Sequence, residues 1–305
     1  MRKIFVAGSI NMDIVAQTKS LPKPGETLLG KQLHYIPGGK GSNQAVAASR
    51  LGGSVYLIGK LGHDPFGEAL YQFLSGENLN LDYLGFSDDQ PSGVAIILVD
   101  EASENSIIVL SGSNYDLHPA DVKAIPLEAE DVVVSVFEIP QDAIYALFSQ
   151  AKAVQAKTIL NPAPANTIEN KLLSLVDVLI VNETELAFYA GTDALAETDE
   201  IIQVARALQK DPEQIIIVTL GAKGLVCIQG ETIIKKAAPK VKAIDTTGAG
   251  DCFTGSLAVA FSEGMPLEKA LEFAMTSSAL SVQTLGASSS MPKRDHVNKM
   301  LKAYF

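Results

Sequence analysis

The sequence predicts an α/β protein with a mostly parallel central sheet, and three observations carry that reading. Six short apolar runs rich in β-branched residues recur, at residues 3–9, 54–59, 131–137, 157–162, 177–182 and 214–220. Each run is nearly continuous rather than alternating, as strands buried on both faces of a parallel sheet are. Helical patterns lie between the runs, which implies βαβ units with right-handed crossovers in a layered fold. The chain has 305 residues, 47% of them hydrophobic, enough for one large domain or two modest ones.

The elements follow in chain order. The first strand, KIFVAGS, runs into GSINMD at residues 8–13. Residues 14–36 then break the rhythm: IVAQT, ETLLG and LHYIP read as short strands separated by Pro22, Pro24, Gly25 and Gly30. GSNQAVAASRLGG reads as a helix with Ser42 as its cap and Gly52 and Gly53 at its end. PFGEALYQFLSGEN is a second helix, with Pro65 near its start. Residues 93–111, GVAIILVD and NSIIVLS around a polar turn, again read as strands joined by a turn. The two insertions are expected to pair into a small second sheet, a lid or a dimer contact. A long helix, PLEKALEFAMTSSALSVQTLG, is expected near the C-terminus.

Composition excludes several classes of function. Lys and Arg total 24 against 35 Asp and Glu, a net charge of −11. Such a chain suits neither nucleic acid nor an anionic membrane surface, and a bound polyanion would need local devices against the global field. The two cysteines, Cys227 and Cys252, sit in apolar surroundings and read as buried reduced thiols. The apolar run at the start is cut by Gly8, Ser9, Asn11 and Asp13, too early for a signal peptide. No stretch approaches the ~18 apolar residues of a spanning helix. A soluble cytoplasmic protein is expected. His34, His63, His118 and His296 are scattered, without zinc-ligand spacing. Neither a G-x-S-x-G elbow nor a GxGxxG turn after the first strand occurs.

Five stretches carry chemistry. In DTTGAGDCFTGS, residues 245–256, Gly248 and Gly250 let the backbone turn tightly before a helix. The unpaired N–H groups of such a turn can cradle an oxyanion. Asp251 then serves a different atom, as general base toward an attacking hydroxyl; an acid that merely caps its helix is the plainer alternative. In PGGKGSNQA, residues 37–45, Lys40 is followed by Gly41, so this is no Walker A loop. Asn43 there offers donors and an acceptor suited to sugar hydroxyls, and a simple helix-entry turn also explains it. Asn11 and Asp13 close the first strand, where α/β sheets bind ligands; Asp13 can accept from two hydroxyls. Such residues also occur in ordinary turns. Asn182 and Glu185 have capping-box spacing, and Glu185 can alternatively hold Mg2+ through water. Thr219, Gly221 and Gly224 form either a nucleotide-facing turn, with Lys223 offsetting phosphate charge, or a plain hairpin turn.

Taken in order, GGKGSNQAVAASRLG and DTTGAGDCFTGSL resemble the two signatures of the ribokinase-like (PfkB) carbohydrate kinase family. GSINMDIV, PGET, NPAPA and NETE add to the resemblance, which covers essentially the whole chain. It implies a single three-layer kinase domain over residues 1–305, with a β lid from about residues 10–40 and 93–112 that also clasps a homodimer. It implies ATP-dependent phosphorylation of a pentose primary hydroxyl, D-ribose giving D-ribose 5-phosphate. Asp251 is then the base, and Gly248, Ala249 and Gly250 the anion hole. Asn11, Asp13, Gly39, Lys40, Gly41, Asn43 and Glu138 match sugar-binding positions. Ser42, beside that loop, stands where the family often has Ala. Asn182 and the run Thr219, Leu220, Gly221, Ala222, Lys223, Gly224 match the nucleotide side, with Glu185 near Mg2+. Asp245, Thr247, Ser281, Thr284, Gly286 and Ser290 match a site for a monovalent cation, K+. A deoxyribokinase, a fructokinase, a nucleoside kinase and a non-catalytic sugar-binding regulator stay open as alternatives.

Overall fold

In the computed structural model, which describes residues 2–102, 105–195 and 197–304, the first apolar run forms β1 (Lys3–Ala7). The chain then leaves this sheet for β2 (Asn11–Gln17) and β3 (Gln32–Gly38) before entering helix α1 (Lys40–Arg50). It returns as β4 (Ser54–Gly62), α2 (Pro65–Ser75) and β5 (Asn80–Ser87). A second excursion gives β6 (Gly93–Val99) and β7 (Asn105–Leu110), followed by the short helix α3 (Pro119–Val122). Three βα-type repeats follow: β8 (Val132–Val136) and α4 (Gln141–Ala153); β9 (Lys157–Asn161) and α5 (Asn170–Leu173); β10 (Val178–Asn182) with α6 (Glu183–Ala190) and α7 (Thr198–Leu208); then comes β11 (Ile215–Thr219). A hairpin, β12 (Leu225–Gln229) and β13 (Thr232–Lys236), precedes α8 (Ala249–Ser262), α9 (Leu267–Ser281) and α10 (Arg294–Tyr304).

Nine strands make the large sheet, in the order β13-β12-β11-β10-β9-β8-β1-β4-β5. Every neighbouring pair from β11 to β5 is parallel, and only β12 and β13 run antiparallel to their neighbours. All six expected strands are present within a residue of their expected ends, except that β1 stops at Ala7, two residues short, and β4 extends to Gly62. Successive strand side chains point to opposite faces. Ile4 and Val6 of β1 accordingly join a core with α1, α8 and α9, while Phe5 and Ala7 join the other with α4, α6 and α7. Two apolar cores, one per face, make three layers.

The insertions pair as expected into a separate four-stranded sheet, β3-β2-β6-β7. Ser103 and Glu104, at the tip of its polar turn, lie outside the described residues. Two local expectations fail. ETLLG is not a strand, because bounding prolines and glycines keep it from any ladder. Ser42 does not cap α1; the helix begins two residues earlier, after Gly39 at φ 94°, and the Ser42 hydroxyl donates back to the carbonyls of Gly38 and Gly39. By contrast, Asp64 caps α2 through the Gly67 N–H, with Pro65 in the first turn.

Candidate active site

The residues singled out in the sequence gather where the parallel strands end at their carboxyl side, the usual ligand-binding edge of an open α/β sheet. Asn11 follows β1, Glu138 follows β8, Asn182 ends β10 and Thr219 ends β11. The first turns of α1 and α8 meet over this edge. Close approach there demands glycine: a Cβ on Gly41 would lie 2.4 Å from the Gly8 carbonyl carbon.

Asp251 lies in the first turn of α8 and is buried. Its Oδ2 accepts from Asn43 Nδ2 at 3.0 Å, and its Oδ1 from Gln44 Nε2 at 3.1 Å. Burial pushes its carboxyl up from the ordinary value, while Lys40 and the two amides pull it back only in part. The helix N-cap is Gly248 at φ 73°, a left-handed conformation that suits glycine. A Cβ at Gly250 would meet nothing within 4 Å, so this turn is open on its outer side. The Gly250 and Asp251 N–H groups belong to the first helical turn, which has no acceptors of its own. Ala249 differs from the expectation, because its N–H already donates to the Thr246 carbonyl at 3.2 Å.

Three carboxylates and one ammonium face one another. Glu138 and Asp251 raise the affinity of Asp13 for a proton, Asp251 raises that of Glu138, and Lys40 lowers it for all three. Burial is the main cause in each case, and Asp13 reaches about 7. The Asp13 carboxyl lies against Gly38, where a Cβ would sit 2.2 Å from Oδ2. Glu138 accepts from the Ser9 hydroxyl, and Asn11 Oδ1 accepts from Asn114 Nδ2 at 2.7 Å. Asn114 also takes the Ile10 N–H at 2.8 Å, so it pins the turn that presents Asn11.

The nucleotide-side residues form a second group. Asn182 and Glu185 make a complete capping box at 2.7 and 2.9 Å, the structural alternative raised for them. Glu185 is also raised, by burial, and it senses both Lys40 and Asp251. Thr219, Leu220, Gly221, Ala222, Lys223 and Gly224 make the hairpin turn from β11 to β12, with Gly221 and Gly224 at positive φ. The Lys223 ammonium pairs with Glu183 at 3.1 Å and is largely exposed.

Part of the expected cation loop also assembles. Asp245 Oδ1 accepts from the Thr247 N–H and hydroxyl, and Oδ2 from the Gly286 N–H at 2.8 Å. Burial pushes the Asp245 carboxyl up, but these donors outweigh it and leave it below the ordinary range. The Ser281 hydroxyl donates to the Ser278 carbonyl and the Ser290 hydroxyl to that of Ala287. Thr284 is exposed in the turn that follows α9.

Sequence reasoning missed Ser9, Gln44, Asn114, Asn161 and Ser288. Gln44 is fully buried, and its Oε1 has no hydrogen-bond partner among the described residues. An orphaned buried carbonyl costs about 1–3 kcal/mol. The amide's other end explains the tolerance, because Nε2 donates to Asp251 and lies 3.5 Å from Asn161 Oδ1. Gln44 lay inside a quoted motif, but nothing in its spacing distinguished it from a helix surface residue.

Known proteins share this fold and its sequence. The profile of the pfkB family of carbohydrate kinases matches residues 1–294. Ribokinase from Bacillus subtilis is 36% identical over 303 residues, covering 99% of this chain and 100% of the relative. Ribokinase from Haemophilus influenzae is 36% identical over 306 residues, covering 99% of each. Among solved structures, Arabidopsis thaliana ribokinase complexed with ribose and ATP superposes with a TM-score of 0.89 at 34% identity, over 99% of each chain. With one family profile spanning almost its full length and relatives matched end to end, this chain belongs to the pfkB family of carbohydrate kinases.

Proposed function

We propose that this protein transfers the γ-phosphoryl group of ATP to the primary hydroxyl of D-ribose, giving ADP and D-ribose 5-phosphate. The single observation that carries the proposal is Asp251, a buried carboxylate at a helix N-terminus, held by two amide donors beside an open glycine turn. Full-length relatives named as ribokinases support the substrate pair.

Each residue then has one task. Asp13 accepts from sugar hydroxyls, Glu138 steadies the loop that carries Lys40, and Asn11, Gly39, Gly41 and Asn43 line the sugar side. Asp251 takes the proton from the primary hydroxyl as its oxygen bonds to the γ-phosphorus and the bond to the β-phosphate oxygen breaks. A base raised above the ordinary carboxylate range is better matched to this transfer at neutral pH. The N–H groups of Gly250 and Asp251, with the helix dipole, stabilise charge on the moving phosphoryl group. Phosphoryl transfer depends on such positioning and charge stabilisation more than on covalent help. The small sheet covers the sugar and excludes water, the competing acceptor.

Two metal sites fit the residues present. Glu185 offers a carboxylate with one oxygen committed to Asn182 N–H, a hard-oxygen ligand for Mg2+, directly or through water. Bound Mg2+ supplies charge neutralisation on the phosphates. Asp245, with the carbonyls and hydroxyls around Thr247, Ser281, Thr284, Gly286 and Ser290, offers the oxygen-rich setting that K+ takes. We further assign the protein to the cytoplasm, on its acidic composition and two unpaired buried thiols, and to a homodimer joined through the small sheet.

Asp251→Asn tests the assignment. Turnover of ribose with ATP, read by ADP release, is expected to fall by about 10²–10⁴ while the circular dichroism spectrum stays the same. A variant that keeps turnover within a few-fold would remove Asp251 as the base. A panel of other sugars in the same assay tests the acceptor.

A further inference from the structure

Ser288 lies outside the steps just described, yet it reaches the base at one remove. An ionised carboxylate only accepts hydrogen bonds, so Asn43 must turn its NH2 toward Asp251 Oδ2. That leaves Asn43 Oδ1 buried and facing Ser288, whose hydroxyl donates to it. Without this donor the amide carries an unpaired buried carbonyl in the productive orientation and has little reason to hold it.

Ser288 is itself fixed. It is fully buried in a single turn, Ser288–Ser290. Arg50 Nη1 donates to the carbonyls of Ser288, Ser289 and Met291 at 3.0, 3.2 and 3.0 Å. The Arg50 guanidinium is oriented in turn by a bidentate pair with Glu77, at 2.8 and 2.6 Å, and both side chains are mostly buried. Arg50 and Asn43 sit on the same helix, two turns apart. One end of α1 therefore grips the 288–291 turn while the other end receives that turn's hydroxyl.

We propose that Ser288 is a positioning residue for the proton transfer: through the Asn43 amide it keeps a donor on Asp251 Oδ2, and the Arg50–Glu77 pair keeps Ser288 in place. This rests on the reading of Asp251 as the base. Loss of the donor raises the affinity of Asp251 for its proton, so the base is protonated at a higher pH. The effect belongs to the acid limb of the rate profile and not to ATP binding.

The test measures kcat and KM against pH, with ribose and ATP, for wild type, Ser288→Ala, Ser288→Thr, Arg50→Lys and Asp251→Asn. For Ser288→Ala the acid limb of kcat is expected to move up by about one pH unit, with about a tenfold loss along that limb and KM for ATP within about twofold. Ser288→Thr, which keeps the hydroxyl, is expected to restore both. An unmoved acid limb in Ser288→Ala, or a loss that threonine does not restore, overturns the proposal. If Ser288→Ala does not fold, Arg50→Lys decides by the same profile, a shift supporting and no shift overturning it. Asp251→Asn separates the two readings. Turnover retained there overturns the base itself; turnover lost there beside a wild-type Ser288→Ala profile overturns only the role of Ser288.

Discussion

Asp13 carries the pH behaviour expected of the sugar side. Burial first, then Glu138 and Asp251, bring its carboxyl from 3.8 up to about 7. Hydroxyl donors need the ionised form, so sugar binding weakens as protons return. KM for ribose is expected to rise roughly tenfold from about pH 8 to about pH 6, and Asp13→Asn should flatten this slope while raising KM throughout. A wild-type KM that is level across that range would contradict it. The sign for stability is opposite. Between 3.8 and about 7 the folded protein holds a proton that the unfolded chain has released, so this group favours folding at the acid end and the benefit is lost as pH rises. At this scale the sequence was legible where chemistry is local: Asp251 stands in a glycine turn that announces it. Ser288 and Asn114 were not legible, because their roles depend on partners 245 and 103 residues away.

Among elements, the legible ones were those whose burial is uniform. β1, β8, β10 and β11 are covered on both faces and read as unbroken apolar runs. β5 and β13 escaped notice because each closes an edge of the sheet and mixes polar with apolar residues, as in NLDYLGFS and TIIKK. The 219–224 turn was legible in outline only; β12 pairs antiparallel with β11 and makes it a hairpin turn, which leaves its nucleotide-facing side a matter for the proposed function. The turns at 245–247 and 284–290 carry the expected cation dependence. Asp245 ties them together through the Gly286 N–H, next to the start of α8. Activity is expected to be several-fold higher in KCl than in LiCl at equal ionic strength, because the small Li+ fits a loose oxygen cage poorly. Equal rates in the two salts would remove the cation from the site.

For the whole molecule, the small sheet is the part with unfinished contacts. Every described position of β7 is exposed, with Ile107, Ile108, Val109 and Leu110 between 44% and 60% accessible. Leu33 and Tyr35 of β3 add exposed apolar area. In the proposed homodimer, two such sheets clasping each other would cover this apolar area. The net charge of −11 opposes that association, so the apolar contact must outweigh repulsion between copies. Ile108→Glu is expected to yield a monomer by light scattering, with KM for ribose raised more than KM for ATP. Wild type that is itself monomeric would refute the clasp.

Asn43 and Asp251 meet across 208 residues of chain, and Ser288 closes the circle from farther still. A nascent polypeptide leaving the ribosome with its first two hundred residues built has a strand, a helix and a loop awaiting a carboxylate not yet synthesised. A chain that stops short of Asp251 therefore lacks both the carboxylate and the turn that orients its amide partner, however well its earlier strands and helices fold.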